Sequence, residues 1–220
     1  MEQIRNIMQL IRWSNLFFLG ALIYVMEKWV VVPILDDVAF GEQLPWYIVL
    51  LIAVATILIA AGGYVINDYF DIKIDRINRP DQLIVSQHIS KENAMRLSII
   101  LSGVGMVCGL VVAWLLRSST IGILFAIIPG LLWFYSSSYK RLLIVGNVTI
   151  ALLSALSPMM VAIANVAQLQ LKYSSILPYT TLEHDIYAWV GGFSLFAFLL
   201  TWIREIVKDL QDQMGDRELE

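Results

Sequence analysis

Apolar residues fall into six long blocks along this chain, separated by short polar segments. The blocks run from Leu16 to Leu35, Trp46 to Ile66, Leu97 to Leu116, Ile121 to Tyr135, Leu142 to Ala167 and Ile186 to Ile203. A helix needs about 20 apolar residues to cross a bilayer, so each block reads as a spanning helix. The fourth is short and carries Pro129-Gly130, and the fifth carries Pro158 as a kink, which membrane helices tolerate. Within the first block, Glu27 and Lys28 are expected near the outer end, with Trp29 as an interfacial anchor. The pattern predicts an all-α polytopic membrane bundle, one membrane domain over residues 1–220.

Two of the polar segments stand out. Asn67-Asp68-Tyr69-Phe70-Asp71-Ile72-Lys73-Ile74-Asp75 follows directly on the second block. If the helix continues, Asn67, Asp71 and Asp75 stand at i, i+4 and i+8 on one face. Arg204-Glu205-Ile206-Val207-Lys208-Asp209-Leu210-Gln211-Asp212 follows the sixth block, and Asp209, Asp212 and Asp216 stand at i, i+3 and i+7. Carboxylates on one face repel each other unless something positive lies among them, and hard oxygen donors suit Mg²⁺.

Composition supports the membrane reading. Of 220 residues, 59% are hydrophobic and 15% charged, well below the quarter usual for soluble domains. A net charge of −3 gives no basis for binding nucleic acid. The single cysteine, Cys108, excludes an intramolecular disulfide and a multi-cysteine metal site. The two histidines, His88 and His184, are far apart in sequence.

Basic residues set the expected orientation. With a cytoplasmic N-terminus, only Lys28, Arg117 and Lys172 of the 15 Lys and Arg fall outside. Four blocks separate Asp71 from Asp209, so both acidic faces lie on the cytoplasmic side and can share one site.

That combination suits cleavage of an allylic diphosphate. Mg²⁺ held between carboxylates and phosphate oxygens stabilises the departing pyrophosphate, and nearby Lys and Arg add positive charge. An apolar, aromatic-lined cavity keeps the remaining cation from water. Other readings exist. Interleaved charges outside a membrane also form plain solvated loops, and Lys140 and Arg141 also satisfy positive-inside topology alone. The Asp-Gly…Ala-Arg…Gly…Asp pattern of CDP-alcohol phosphotransferases is not found. A transporter would place ionisable groups near the bilayer midplane, where these blocks carry almost none.

At these residues the chain resembles a known family. Asn67-Asp68-x-x-Asp71-x-x-x-Asp75 with Asn78-Arg79-Pro80 is similar to the first signature of the UbiA-type intramembrane prenyltransferases. Arg12-x-x-Asn15 resembles their N-terminal element. Tyr135-Ser136-Ser137-Ser138-Tyr139-Lys140 resembles their Tyr…Lys segment, and Gly146-Asn147 opens the fifth helix as theirs does. Asp209-x-x-Asp212-x-x-x-Asp216 resembles their second signature. The likeness runs from Arg12 to Asp216.

The resemblance implies a bundle of nine helices around a central cavity open to the cytoplasm. Six are present, so the chain is expected to be part of a longer protein. The family's reaction is Mg²⁺-dependent transfer of a polyprenyl group from its diphosphate to an acceptor. By motif match, Asn67, Asp68, Asp71, Asp75, Asp209, Asp212 and Asp216 are metal ligands. Asp71, Asp75, Asp212 and Lys140 are catalytic, and Asn67, Asp68, Arg79, Tyr135, Lys140 and Arg12 bind substrate. The Arg204-Glu205-x-x-Lys208-Asp209 run is most like the ether-lipid branch, which joins a geranylgeranyl group to a glycerol-phosphate acceptor. The quinone branches, with 4-hydroxybenzoate or dihydroxynaphthoate as acceptor, remain alternatives.

Overall fold

The computed structural model describes residues 2–37, 43–78, 80, 83–138 and 143–216; of 78, 143 and 211–216 only the backbone is described. In chain order the helices are α1 (Glu2–Leu10), α2 (Trp13–Val25), α3 (Val32–Asp37), α4 (Trp46–Asn78), α5 (Lys91–Leu115), α6 (Ser119–Ser137), α7 (Leu143–Tyr173) and α8 (Leu182–Asp216). A π-helical turn, Met26–Val31, joins α2 to α3 as one continuous span. Among the described residues six helices are long and apolar enough to cross a membrane, matching the six blocks one for one. This is an all-α, multi-pass integral membrane protein.

The helices outrun the blocks that announced them. α4 has 33 residues and α8 has 35. At 1.5 Å per residue each is roughly 50 Å long, against a hydrocarbon core of about 30 Å. Their last turns therefore stand clear of the apolar layer, and those turns carry the acids. The condition on the first acidic segment holds: α4 continues unbroken through Asp75. Pro129 and Pro158 both lie inside continuous helices, α6 and α7. Helix starts are capped as physical chemistry expects, with Ser90 Oγ accepting from the Asn93 amide and Ser118 Oγ from that of Ile121.

α4 is the hub, touching α2, α5, α6, α7 and α8. It packs along α5 through small residues. A Cβ on Gly62 would collide with Ser102 and the Ser98 carbonyl, and one on Gly105 would come within 2.9 Å of the Ala55 carbonyl oxygen. Backbones that approach this closely are typical of small-residue membrane interfaces. Ser98 Oγ donates to the Gly62 carbonyl across the same seam, at 2.8 Å.

α7 and α8 form an antiparallel pair tied at three depths. Asn147 Nδ2 donates to Asp209 Oδ2 at 2.7 Å, Thr201 Oγ1 to Ser154 Oγ at 2.9 Å, and Gln170 Nε2 to Glu183 Oε1 at 2.7 Å. The main core lies among α2, the π turn, α4, α6, α7 and α8, with Ile23, Ile52, Phe125, Met160 and Ile186 wholly buried. A smaller cluster of Leu10, Val65, Ile72, Leu83, Val85 and Ala94 closes the acidic end.

One expectation needs correction. Glu27 is not at a water interface but fully buried, 0% exposed. The π turn that contains it takes one more residue per turn than an α-helix, which changes the direction in which the side chain leaves the axis. Asn165 Nδ2 on α7 donates to Glu27 Oε2 at 2.7 Å. Its neighbours are not enclosed with it: Lys28 Nζ donates to Gln43 Oε1, and Trp29 is exposed.

Candidate active site

Five helix ends meet at the acidic end of the bundle: the start of α2, the ends of α4, α6 and α8, and the start of α7. α4 supplies Asn67, Asp68, Asp71 and Asp75. Asn67 Nδ2 donates to Asp71 Oδ2 at 2.7 Å, one turn on, and Asp71 is buried at 6% exposure. A carboxylate so enclosed needs donors around it, and the amide one turn away is one of them. Asp75 lies a further turn outward and is half-buried.

Asp68 points to the other flank of α4 and meets Arg12. The guanidinium Nη2 lies 2.9 Å from Asp68 Oδ1, and its centre lies 4.7 Å from the centroid of the Tyr64 ring. Arg12 adopts a left-handed backbone conformation, φ 55° and ψ 53°, at the break between α1 and α2. Such a conformation is strained for a residue with a Cβ. Here it turns the chain so that α2 can start and the guanidinium can reach α4. Arg12 and Asp68, expected to bind substrate and metal, thus engage each other across 56 positions of sequence.

From the opposite side α8 presents Asp209, fixed by the buried Asn147 amide. Between the two acidic faces stands Tyr135, near the end of α6 and 6% exposed. Its hydroxyl lies within the electrostatic reach of Glu205, Asp71, Asp209 and Arg12 together. One side chain therefore senses α2, α4 and α8 at once, and the two acidic faces lie at the same end of the bundle. Phe70 on α4 and Trp133 on α6 pack edge-on, ring centroids 5.9 Å apart. A cleft of about 280 Å³ lined by Gly63, Ser98, Pro129 and Trp133 lies on the far side of α4, between α5 and α6, and not between the acidic faces.

Asp212 and Asp216 continue the Asp209 face by helical register, on backbone positions alone. Lys140 and Arg79 lie outside the described residues. Two residues were missed as members of the site. Asn147 was noted only as an opening of the fifth helix, and its partner lies 62 positions away. Glu205, buried at 6% exposure, stands one turn inward of Asp209; extending the i, i+3, i+7 register one turn backwards would have found it.

Among the described residues no three acidic, histidine or cysteine groups come together as a cage for a metal. Mg²⁺ is commonly held by one or two carboxylates plus substrate phosphates and waters rather than by an all-protein cage. The donor set here, aspartate oxygens on two facing helix ends, has the hard chemistry such an ion takes.

Residues 38–220 match the UbiA prenyltransferase family. The chain belongs to that family. Relatives of this UbiA-family chain include the digeranylgeranylglyceryl phosphate synthase of Ignicoccus hospitalis, 32% identical over 73% of this chain and 47% of that protein. The enzyme of the same name from Sulfolobus acidocaldarius is 36% identical over 73% of this chain and 50% of that one. The UbiA-family chain spans about half the length of these curated relatives. A solved structure, described as giving structural and mechanistic insights into the biosynthesis of digeranylgeranylglyceryl phosphate synthase in membranes, matches 99% of this chain and 66% of its own. The TM-score is 0.64 at 28% identity.

Proposed function

We propose that this chain carries the diphosphate-binding half-site of a Mg²⁺-dependent prenyltransferase, which moves a polyprenyl group from its allylic diphosphate to a glycerol-phosphate lipid precursor. The observation that carries the reading is the convergence of Asp71 and Asp209, from α4 and α8, on the single hydroxyl of Tyr135. The glycerol-phosphate acceptor is favoured by the names of the relatives, and the orientation that puts the site on the cytoplasmic face by the distribution of Lys and Arg.

Asp71, Asp75 and Asp209 would hold the metal, with Asn67, Asp68, Asp212 and Asp216 completing the two faces. When bound, Mg²⁺ supplies Lewis-acid stabilisation of the departing pyrophosphate. The protein's own residues do the rest. Arg12, and by motif match Lys140 and Arg79, would provide positive charge for phosphate oxygens. Tyr135 stands where the carbon–oxygen bond of the donor breaks, and its ring face stabilises developing positive charge on the allylic carbon. The apolar interior behind it takes the prenyl chain and excludes water.

The test is radiolabelled geranylgeranyl diphosphate offered to the chain in lipid nanodiscs, with and without Mg²⁺, against a panel of acceptors. A labelled ether with a glycerol-phosphate acceptor, dependent on Mg²⁺, is expected. A labelled 4-hydroxybenzoate or dihydroxynaphthoate would move the assignment to the quinone branches, and no diphosphate binding at all would overturn it.

A further inference from the structure

Glu205 shares its helical face with Asp209 and with the register positions of Asp212 and Asp216. Four residues of helix place it roughly 6 Å nearer the apolar middle of the bundle than Asp209. With Asp71 and Asp209 it acts electrostatically on the Tyr135 hydroxyl. Its one hydrogen-bond partner among the described residues is Lys208 Nζ, a long 3.5 Å from Oε2. That lysine is at the rim, with 32% of its side chain exposed against 8% for Glu205. A carboxylate is costly to bury, and a single long contact three residues along the same helix offsets little of that cost.

Depth supplies the reason. A donor whose diphosphate rests on Asp71 and Asp209 directs its apolar chain inward, because only the interior is apolar. Its reacting carbon then lies inward of the diphosphate, at the level of Tyr135 and Glu205. We infer that Glu205 is the general base of the transfer, taking the proton of a hydroxyl-bearing acceptor. This rests on the site reading proposed above and deepens it: the acceptor belongs to the alcohols, and its oxygen is delivered on the α8 side.

The step balances without a further reactant. The donor's carbon–oxygen bond breaks and its electron pair leaves with pyrophosphate. The acceptor oxygen forms the new carbon–oxygen bond with a lone pair. Its O–H bond breaks, the proton passes to a Glu205 carboxylate oxygen, and from there to water after product leaves. Oxidation states do not change.

Single-turnover reactions of the full chain in nanodiscs, with radiolabelled geranylgeranyl diphosphate, Mg²⁺ and a glycerol-phosphate acceptor, separate the two halves of the reaction. Pyrophosphate release with prenyl alcohol formation reports donor ionisation, and labelled ether reports transfer. In Glu205→Gln, ionisation is expected to stay within about threefold while ether formation falls about 10²–10⁴-fold, the range of a lost general base. Glu205→Asp, which keeps a shorter base, should recover part of the transfer. A parallel fall of ionisation and transfer in both variants would overturn the inference, because Glu205 would then serve the diphosphate or the fold. Unchanged ether formation in Glu205→Gln would overturn it as well. A wild-type chain that neither binds nor ionises the donor would instead overturn the site reading itself, and the base with it.

Discussion

At one end of the bundle Asp71, Asp209 and Glu205, from two helices, all act on the hydroxyl of Tyr135; at the other, Glu27 is wholly enclosed. Three of these acids have an asparagine beside them, whereas Glu205 has Lys208. Asn67 serves Asp71, Asn147 serves Asp209, and Asn165 serves Glu27. The local chemistry is thus alike, and burial alone does not separate a site from a structural tie. What differs is assembly. The acidic end gathers carboxylates from α4 and α8 near Tyr135, with Arg12 beside them, whereas Glu27 meets the amide of Asn165. A carboxylate that has company from other elements is arranged to receive something; one that is sealed in holds helices together.

The contrast can be broken most sharply at Asp71. Asp71→Ala should lower prenyl transfer by roughly 10²–10³-fold, the scale of a lost electrostatic stabiliser, while the protein stays in the membrane and its unfolding temperature hardly moves. Radiolabelled transfer and detergent melting check both halves. Asn147→Ala should leave Asp209 in place but poorly oriented. The Mg²⁺ concentration for half-maximal activity should rise about 10–100-fold, as when a ligand loses its supporting hydrogen bond. The opposite signature is expected at the far end. Glu27→Ala removes one of the two acceptors of the Asn165 amide and should cost about 1–3 kcal/mol of stability, read by thermal unfolding, with donor affinity of the folded fraction unchanged. Glu27→Gln, which keeps an acceptor, should cost less. The smallest effect is expected at Arg12, whose side chain is 39% exposed. Arg12→Ala should change stability by about 1 kcal/mol or less and show mainly as weaker donor binding. If Glu27→Ala abolished transfer while the protein melted normally, the distinction between the two ends would fail.

Much of this was legible from the chain. The six spans follow from block length, because a bilayer of fixed thickness demands it. The pairing of the two acidic faces follows from parity of the spans between them. Helix ends were less legible. α4 was read as apolar only to Ile66, yet it continues to Asn78, since hydropathy marks the lipid boundary and not the end of the hydrogen-bond ladder. Glu27 was misread because a π turn is not encoded in the apolar period. Arg12 with Asp68 and Asn147 with Asp209 were out of reach for a different reason: each pair joins residues more than fifty positions apart, and only packing brings them together. Glu205 sat in plain view within an acidic and basic run, but its depth, which sets its role, belongs to the folded helix.

The three hydrogen bonds along α7 and α8 have one more consequence. Because they clamp the hairpin near its mouth, its middle and its turn, they act as a vernier: no slide of α8 by a single residue can satisfy all three. Such a slip would swing every α8 side chain by about 100° around the axis and carry Asp209 and Glu205 out of alignment with α4. The alignment of the acidic face of α8 is therefore set by its neighbour α7, through a threonine–serine contact and a glutamine at the other end of the pair.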